Sequence, residues 1–186
     1  FWWGGLSRFE PYSVAVFRAA IEPGDTIIDV GANVGFFTTL FSRLTGPHGR
    51  VVSFEPDPDN LTLLRANVAA LGESSNVTIL EAAVGAECGT ASFSLDQATG
   101  ATGHLGADST LGGTLYVDDE PHLLTIPVET IDGVVERLGA TPALIKLDIE
   151  GGEFPALRGA VATLAAHGPV VMAELGGEEG PRAMQL

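Results

Sequence analysis

Residues 26–47 read TIIDVGANVGFFTTLFSRLTGP, and this stretch decides the fold. Its first five residues form an apolar run interrupted only by Asp29, which is typical of a central strand buried on both faces. After a turn that contains Gly31 and Gly35, apolar residues recur at helical spacing until the Gly-Pro pair at 46–47. The stretch therefore predicts a buried strand that passes through a tight turn directly into an amphipathic helix.

Outward from this stretch, short apolar runs alternate with segments whose apolar residues recur at helical spacing. Strands are predicted over residues 26–30, 50–54, 77–80, 91–95, 124–128, 144–148 and 170–175. Helices are predicted over residues 11–21, 34–44, 58–71 and 154–166, with Asp57 as the N-cap of the third. This alternation predicts an α/β fold, a doubly wound and mostly parallel sheet with helices on both faces. The strands at 91–95 and 124–128 would form a β insertion before the fourth main strand.

The segment between the two insertion strands is rich in glycine. Residues 99–114 show neither a helical nor a strand period, and residues 97–122 are predicted to form a mobile loop, either a lid or a disordered linker. Residues 1–24 are predicted to be an N-terminal arm followed by a helix. With 186 residues the chain has the size of a single domain, so residues 1–186 are expected to share one core.

Acidic residues dominate the charge: 24 Asp and Glu stand against 9 Lys and Arg, for a net charge of -15. This balance disfavours nucleic acids and anionic membrane surfaces as partners. The longest apolar stretch, residues 159–175, is broken by His167, Gly168 and Pro169, which argues against a spanning helix. A lone cysteine, Cys88, excludes an intrachain disulfide and a thiolate metal cluster. We expect a cytoplasmic protein whose partner is a small molecule.

The turn at residues 29–36, DVGANVGF, would offer unpaired helix amides to a bound group. A dinucleotide fingerprint requires glycine at its first, third and sixth positions, whereas here Gly31 is followed by Asn33 and Phe36. NAD is therefore disfavoured. A phosphate-binding loop is excluded because no Gly-Lys-Ser/Thr occurs and Lys146 is the only lysine. A tight turn without a ligand is the remaining alternative.

An acidic residue at the end of the second predicted strand points to a nucleoside. Glu55 comes 24 residues after Gly31, and a carboxylate there can accept both hydroxyls of a ribose. Small residues end the third strand, and Ala83 among them would leave room for a flat ring such as adenine. Taken with the glycine turn, Glu55 predicts a cofactor that carries a free 2′,3′ diol.

The most specific segment is residues 145–153, IKLDIEGGE. Strand alternation places Lys146 and Asp148 on one face. Burying this pair in a central strand costs several kcal/mol unless the two charges are matched. Two interpretations stay open, a buried ion pair without function and a reacting centre at the mouth of the sheet. Glu150 and Glu153 add further carboxylates to the same segment.

Five segments, in this order, resemble the FkbM family of S-adenosylmethionine-dependent methyltransferases: residues 29–35, 54–56, 128–132, 145–153 and 171–174. The first is shared by many class I methyltransferases, whereas the Lys-x-Asp-x-Glu-Gly-x-Glu segment is much more specific. The resemblance implies a Rossmann-like enzyme that transfers a methyl group to a hydroxyl of a small molecule, a secondary metabolite or a sugar.

The resemblance also implies roles for individual residues. The methionine and sugar portions of S-adenosylmethionine would be held by Asp29, Gly31, Asn33 and Gly35, and its ribose by Glu55. Asp148 would lie near the reacting centre.

The catalytic candidates are therefore Asp148, Lys146 and Glu150. Asp148 or Glu150 could take the proton of the acceptor hydroxyl or hold a divalent ion that does so, and the sequence does not decide the metal question. Lys146 would favour the ionised form of Asp148 because opposite charges stabilise each other.

Two other functions compete with methyl transfer. One is a non-catalytic module that binds S-adenosylmethionine, and the other is a nicotinamide-dependent oxidoreductase, which the missing glycines disfavour. The sequence also lacks an evident antiparallel hairpin after the fifth main strand. The native chain could extend further, or the strands around residues 91 and 124 could complete the main sheet.

Overall fold

The computed structural model describes residues 10–72, 76–94, 123–149 and 151–174, together with the backbone of residues 104–105. Its helices are α1 (Pro11–Ala20), α2 (Phe36–Thr45), α3 (Pro58–Ala69), α4 (Ile131–Leu138), α5 (Glu153–Arg158) and α6 (Val161–His167). Its strands are β1 (Thr26–Val30), β2 (Arg50–Phe54), β3 (Val77–Leu80), β4 (Ala83–Val84), β5 (Gly89–Ser94), β6 (His104–Leu105), β7 (Leu123–Glu129), β8 (Pro142–Leu147) and β9 (Val170–Ala173). None of the helices among these residues is long and apolar enough to cross a membrane.

The main sheet has five parallel strands in the order β3-β2-β1-β8-β9. The chain moves outward from β1 through β2 to β3, then returns to β8 on the other side of β1. The strand order therefore reverses between β1 and β8, and in open α/β sheets ligands bind beyond the carboxyl ends of the strands at such a point. This topology makes the ends of β1 and β8 the place to look for a site.

Helices cover both faces of the main sheet, as predicted, because its central strands are apolar on both sides. One face packs against α1 and α2 through Phe17 and Phe41, whose rings meet edge to face at 4.7 Å. The other face packs against α4 and α5, with Ile131 and Leu157 in the same core cluster. The predicted fold class, a doubly wound and mostly parallel sheet, is confirmed.

The insertion strands do not complete the main sheet, contrary to one of the two expectations. They form a second, mixed sheet in the order β4-β7-β5-β6, in which β7 runs parallel to β4 and antiparallel to β5. Apolar side chains on one side of this sheet make their own cluster: Ala83, Phe93, Ile126 and Val128. Residues 104–105 are a short strand within the stretch predicted to have none, and most of the predicted loop 97–122 lies outside the described residues.

Two helix predictions need correction. The helix predicted over 154–166 is two helices, α5 and α6, because Asp132 replaces the helical bond between Gly159 and Thr163: the Gly159 carbonyl accepts from the Asp132 amide at 2.8 Å, and the Thr163 amide donates to Asp132 Oδ1 at 2.7 Å. Helix α4 was not predicted, since it is short and carries Gly133 in its first turn; it is capped by Thr130, whose hydroxyl accepts from the Gly133 amide at 3.1 Å. The bounds of β1, β2 and β3 agree with the prediction.

Candidate active site

A row of polar residues crosses the main sheet near its carboxyl edge. The strand register places Ser53 of β2 and Lys146 of β8 on either side of Asp29 of β1. Thr38 of α2 lies against this row: its hydroxyl donates to Asp29 Oδ2 at 2.6 Å and lies 3.1 Å from Ser53 Oγ. Asp29 is completely buried, so its charge depends on these neighbours.

The ammonium group of Lys146 joins the end of β1 to the end of β8. Its Nζ lies 3.3 Å from Asp29 Oδ1 and 3.5 Å from Asp148 Oδ2, and it donates to the carbonyl oxygens of Gly31 at 3.1 Å and Val30 at 3.4 Å. Only the two carbonyl contacts are hydrogen bonds, and Asp29 Oδ1 has no hydrogen-bond partner among the described residues, so Lys146 contacts the two carboxylates as ion pairs. The predicted ion pair is therefore present, and Lys146 connects the buried Asp29 to the half-exposed Asp148.

The glycines of the first turn are required by the backbone and by packing. Gly31 and Gly35 have φ angles of +74° and +88°, a region that strains other residues. A Cβ on Gly31 would collide with the carbonyl oxygen of Asp148, and one on Gly35 would lie 2.5 Å from Cδ1 of Leu64. The turn after β1 thus packs directly on the turn after β8.

Glu55 fastens the glycine turn to the end of β2. Its Oε2 accepts from the Asn33 amide at 2.7 Å, and its Oε1 accepts from the Asp57 amide at 2.9 Å. The residue is 4% exposed, and this burial raises its pKa to about 7, although the two amide hydrogen bonds act in the opposite direction. Because the Glu55 pKa lies near neutral pH, a further hydrogen-bond donor would shift its protonation equilibrium toward the carboxylate.

These residues fit the nucleoside part of a cofactor. A carboxylate offers about four acceptor positions, and at Glu55 the two amides and the Asn60 side chain engage about three of them, which leaves about one for a ribose hydroxyl. The adjacent ends of β1 and β2, paired through Val30 and Phe54, bring Glu55 and Gly31 to the same edge. An acceptor at this edge is compatible with a nucleoside, and the binding role of Glu55 stays a prediction.

A cleft of about 370 Å³ opens beside Asp148, between α1, α2 and the ends of β8 and β9. Its floor is apolar and includes Phe37 and Met172, whereas Glu10 and Glu174 add carboxylates at its rim. The Asp148 side chain is 47% exposed, so its carboxylate meets the cleft while Lys146 neutralises part of its charge.

Glu153 is a site residue that sequence reasoning did not assign. It is 1% exposed, and its two oxygens accept from the amides of Ile149 and Gly151, each at 2.9 Å. The available signal was the glycine pair at 151–152 followed by an acid, because a glycine turn presents free amides to a nearby carboxylate.

Most of the predicted residues converge. Asp29, Gly31, Lys146 and Asp148 are in contact with one another through the bonds above. Asn33 and Gly35 lie in the same turn as Gly31, and Glu55, at the end of β2, bonds to the Asn33 amide of that turn. Ala83, in contrast, packs into the cluster of the second sheet, and its role beside adenine stays a prediction. Glu150 lies outside the described residues. Among the residues that the structure describes, no group of three or more His, Cys, Asp or Glu is arranged to hold a metal ion.

Comparison with known proteins agrees with the resemblance seen in the sequence. Residues 29–184 match the methyltransferase FkbM domain family. The chain is 27% identical over 158 residues to methyltransferase sdnD of Sordaria araneosa, covering 72% of this chain and 59% of that protein. It is 49% identical over 47 residues to the 31-O-demethyl-FK506 methyltransferase FkbM of Streptomyces tacrolimicus, covering 25% of this chain and 18% of that one. The chain thus spans less than two thirds of these relatives.

Solved structures share the fold. Methyltransferase FkbM from Methylobacillus flagellatus KT superposes with a TM-score of 0.55 at 20% identity, covering 88% of this chain and 40% of that one. A precorrin-6y C5,15-methyltransferase from Geobacter metallireducens GS-15 gives 0.56 at 14% identity, covering 95% and 69%. Because the family match extends from Asp29 through both strand ends that form the site, this chain belongs to the FkbM family of S-adenosylmethionine-dependent methyltransferases.

Proposed function

We propose that the chain is an O-methyltransferase that uses S-adenosylmethionine and acts on a hydroxyl of a small molecule, a secondary metabolite or a sugar. The observation that carries this proposal is the half-exposed carboxylate of Asp148, which is paired with Lys146 and faces a cleft lined by Phe37 and Met172. A carboxylate in this position can attract a cationic group, and it can also accept the proton of a hydroxyl.

The residues divide into a cofactor side and an acceptor side. On the cofactor side, Glu55 would accept the ribose hydroxyls, while Asn33 and the glycine turn line the same edge. Bound S-adenosylmethionine would supply an electrophilic methyl carbon on a sulfonium. Asp148 would attract that positive charge and so contribute to binding of the cofactor, since the charge disappears as the methyl group leaves sulfur.

On the acceptor side, Asp148 would act as the general base. It would receive the hydroxyl proton as the oxygen–carbon bond forms and the sulfur–carbon bond breaks, which leaves a methyl ether and a neutral thioether. Because the Asp148 side chain is half-exposed, the proton can then pass to water. Lys146 would hold the carboxylate in line with the acceptor oxygen, since misalignment slows a displacement steeply.

The size and lining of the cleft support a small acceptor. About 370 Å³ lies in the range of small-molecule sites, and an apolar floor with a polar rim is typical of them. The net charge of -15 supports an acceptor other than a nucleic acid.

Two measurements test the proposal. Calorimetric titration with S-adenosylmethionine, S-adenosylhomocysteine and NAD asks which cofactor binds, and we expect the first two. Incubation with methyl-deuterated S-adenosylmethionine and a panel of macrolides, polyketide alcohols and sugars asks whether labelled methyl ethers form, by mass spectrometry.

We expect labelled ethers with the unmodified chain and a loss of at least about 100-fold in Asp148→Asn, the usual range for removing a general base. Binding of NAD alone would overturn the proposal. Binding of S-adenosylmethionine without turnover of any hydroxyl compound would favour the non-catalytic module instead.

A further inference from the structure

We propose that Glu153 is a positioning residue that acts through Asp148: it holds the turn after β8 so that the Asp148 carboxylate can favour a sulfonium over the neutral thioether. This inference rests on the proposed function, because it assumes that S-adenosylmethionine binds beside Asp148. By the turn after β8 we mean residues 148–149 and 151–152.

The first step is the peptide that Glu153 holds. The Asp148 carbonyl and the Ile149 amide belong to one planar peptide group and point in opposite directions. Glu153 Oε1 accepts from that amide at 2.9 Å. The carbonyl on the other side of the same peptide faces Gly31, where an added Cβ would collide with it. Glu153 therefore orients the peptide that meets the glycine turn.

The second step is the rest of the turn. Glu153 Oε2 accepts from the amide of Gly151, whose φ of +96° is a conformation that other residues rarely adopt. On the opposite side, the Asp148 amide donates to the Val30 carbonyl at 3.2 Å. The backbone of Asp148 is thus held from β1 on one side and from Glu153 on the other.

The third step is the effect on charge. The backbone position of Asp148 sets where its carboxylate stands relative to Lys146, which lies 3.5 Å away. An electrostatic preference for a cation depends on distance and on local dielectric, so a displaced carboxylate loses part of it. Glu153 itself is buried, and both of its oxygens accept from amides of the turn after β8. Its contacts therefore hold the backbone of this turn.

The experiment measures a ratio of affinities. The dissociation constants of S-adenosylmethionine and S-adenosylhomocysteine are determined by calorimetry for the unmodified chain, Glu153→Gln, Asp148→Asn and the double variant. The sulfonium and the thioether differ in one methyl group and its charge, so a general loss of structure weakens both, whereas a loss of electrostatic preference changes their ratio.

We expect Glu153→Gln to lower the preference for the sulfonium about three- to tenfold relative to the unmodified chain. In the Asp148→Asn background, Glu153→Gln should change the ratio no further, because Glu153 acts through the carboxylate already removed. Glu153→Asp keeps the negative charge but is too short to reach both amides, so it should lower the ratio as well, and it replaces Glu153→Gln if that variant does not fold.

Asp132→Asn is the matched control. Asp132 also bonds two backbone amides, those of Ala162 at 3.0 Å and Thr163 at 2.7 Å, but at the start of α6. It should lower the melting temperature and leave the ratio unchanged. Equal weakening of both ligands in Glu153→Gln, or a fall in ratio that persists in the Asp148→Asn background, would overturn the inference. Failure of the unmodified chain to bind either ligand would overturn the proposed function itself.

Discussion

Two carboxylates stand at the same edge of the main sheet, and their surroundings differ. Glu55, after β2, is buried, and both of its oxygens accept backbone amides. Asp148, after β8, has a half-exposed side chain that faces a cleft and a lysine. Glu55 is held in place by backbone amides, so it is suited to bind a ligand group that does not change during a reaction. The second carboxylate can meet a partner whose charge changes during a reaction, and this difference supports the proposal that Glu55 binds and Asp148 reacts.

The ion pair on the β8 side should carry the largest effect. Lys146→Met would leave Asp29 completely buried with no matching charge, and we expect it to lower the free energy of unfolding by about 3–5 kcal/mol. Urea denaturation measures the change. Arg137→Met is the control, because Arg137 and Glu129 form an exposed pair whose loss should cost about 0.5 kcal/mol. Similar losses in both variants would mean that burial does not distinguish the two pairs.

The contact between the two regions comes next. Gly31→Ala combines a positive φ with a collision against the Asp148 carbonyl, and we expect it to destabilise the chain by about 3 kcal/mol and to weaken cofactor binding. Gly24→Ala is the matched control, since Gly24 has a φ of +96° but nothing within 4 Å of an added Cβ. It should cost roughly 1 kcal/mol and leave binding unchanged. Equal effects would show that the two turns do not depend on close packing.

The β2 side should show the smallest effect, as a pH dependence. Burial raises the pKa of Glu55 to about 7, and ribose hydroxyls donate more strongly to its ionised form than to its protonated form. Binding therefore favours deprotonation, so affinity for S-adenosylhomocysteine should be greatest above pH 7. It should fall by up to about tenfold per pH unit below it. Calorimetry between pH 5.5 and 8.5 measures this slope. Glu55→Gln should remove it, and a slope that survives in that variant would assign the titration to another group.

Much of the site could be predicted because its signals are local. The glycine turn, the acid after the second strand and the charged segment after the fourth are readable from spacing, and the structure brings Asp29, Gly31, Lys146 and Asp148 together. The glycine pair before Glu153 signals that free amides lie nearby, but the particular amides that bond to Glu55 and Glu153 could not be predicted, because a carboxylate in a sequence does not reveal which amides it will meet. In the folded chain, both carboxylates accept hydrogen bonds from amides of backbone turns.

By itself, the sequence determined the alternation of strands and helices, the buried character of β1 and the tight turn after it. These properties follow from the period of apolar residues and from glycine and proline stops, which act over a few neighbouring residues. Only the tertiary structure decided that the insertion strands build a separate sheet, that the helix after β8 breaks at Gly159, and that Ala83 packs with apolar residues of the second sheet. Each of these depends on contacts between segments far apart in the chain, which local patterns do not encode.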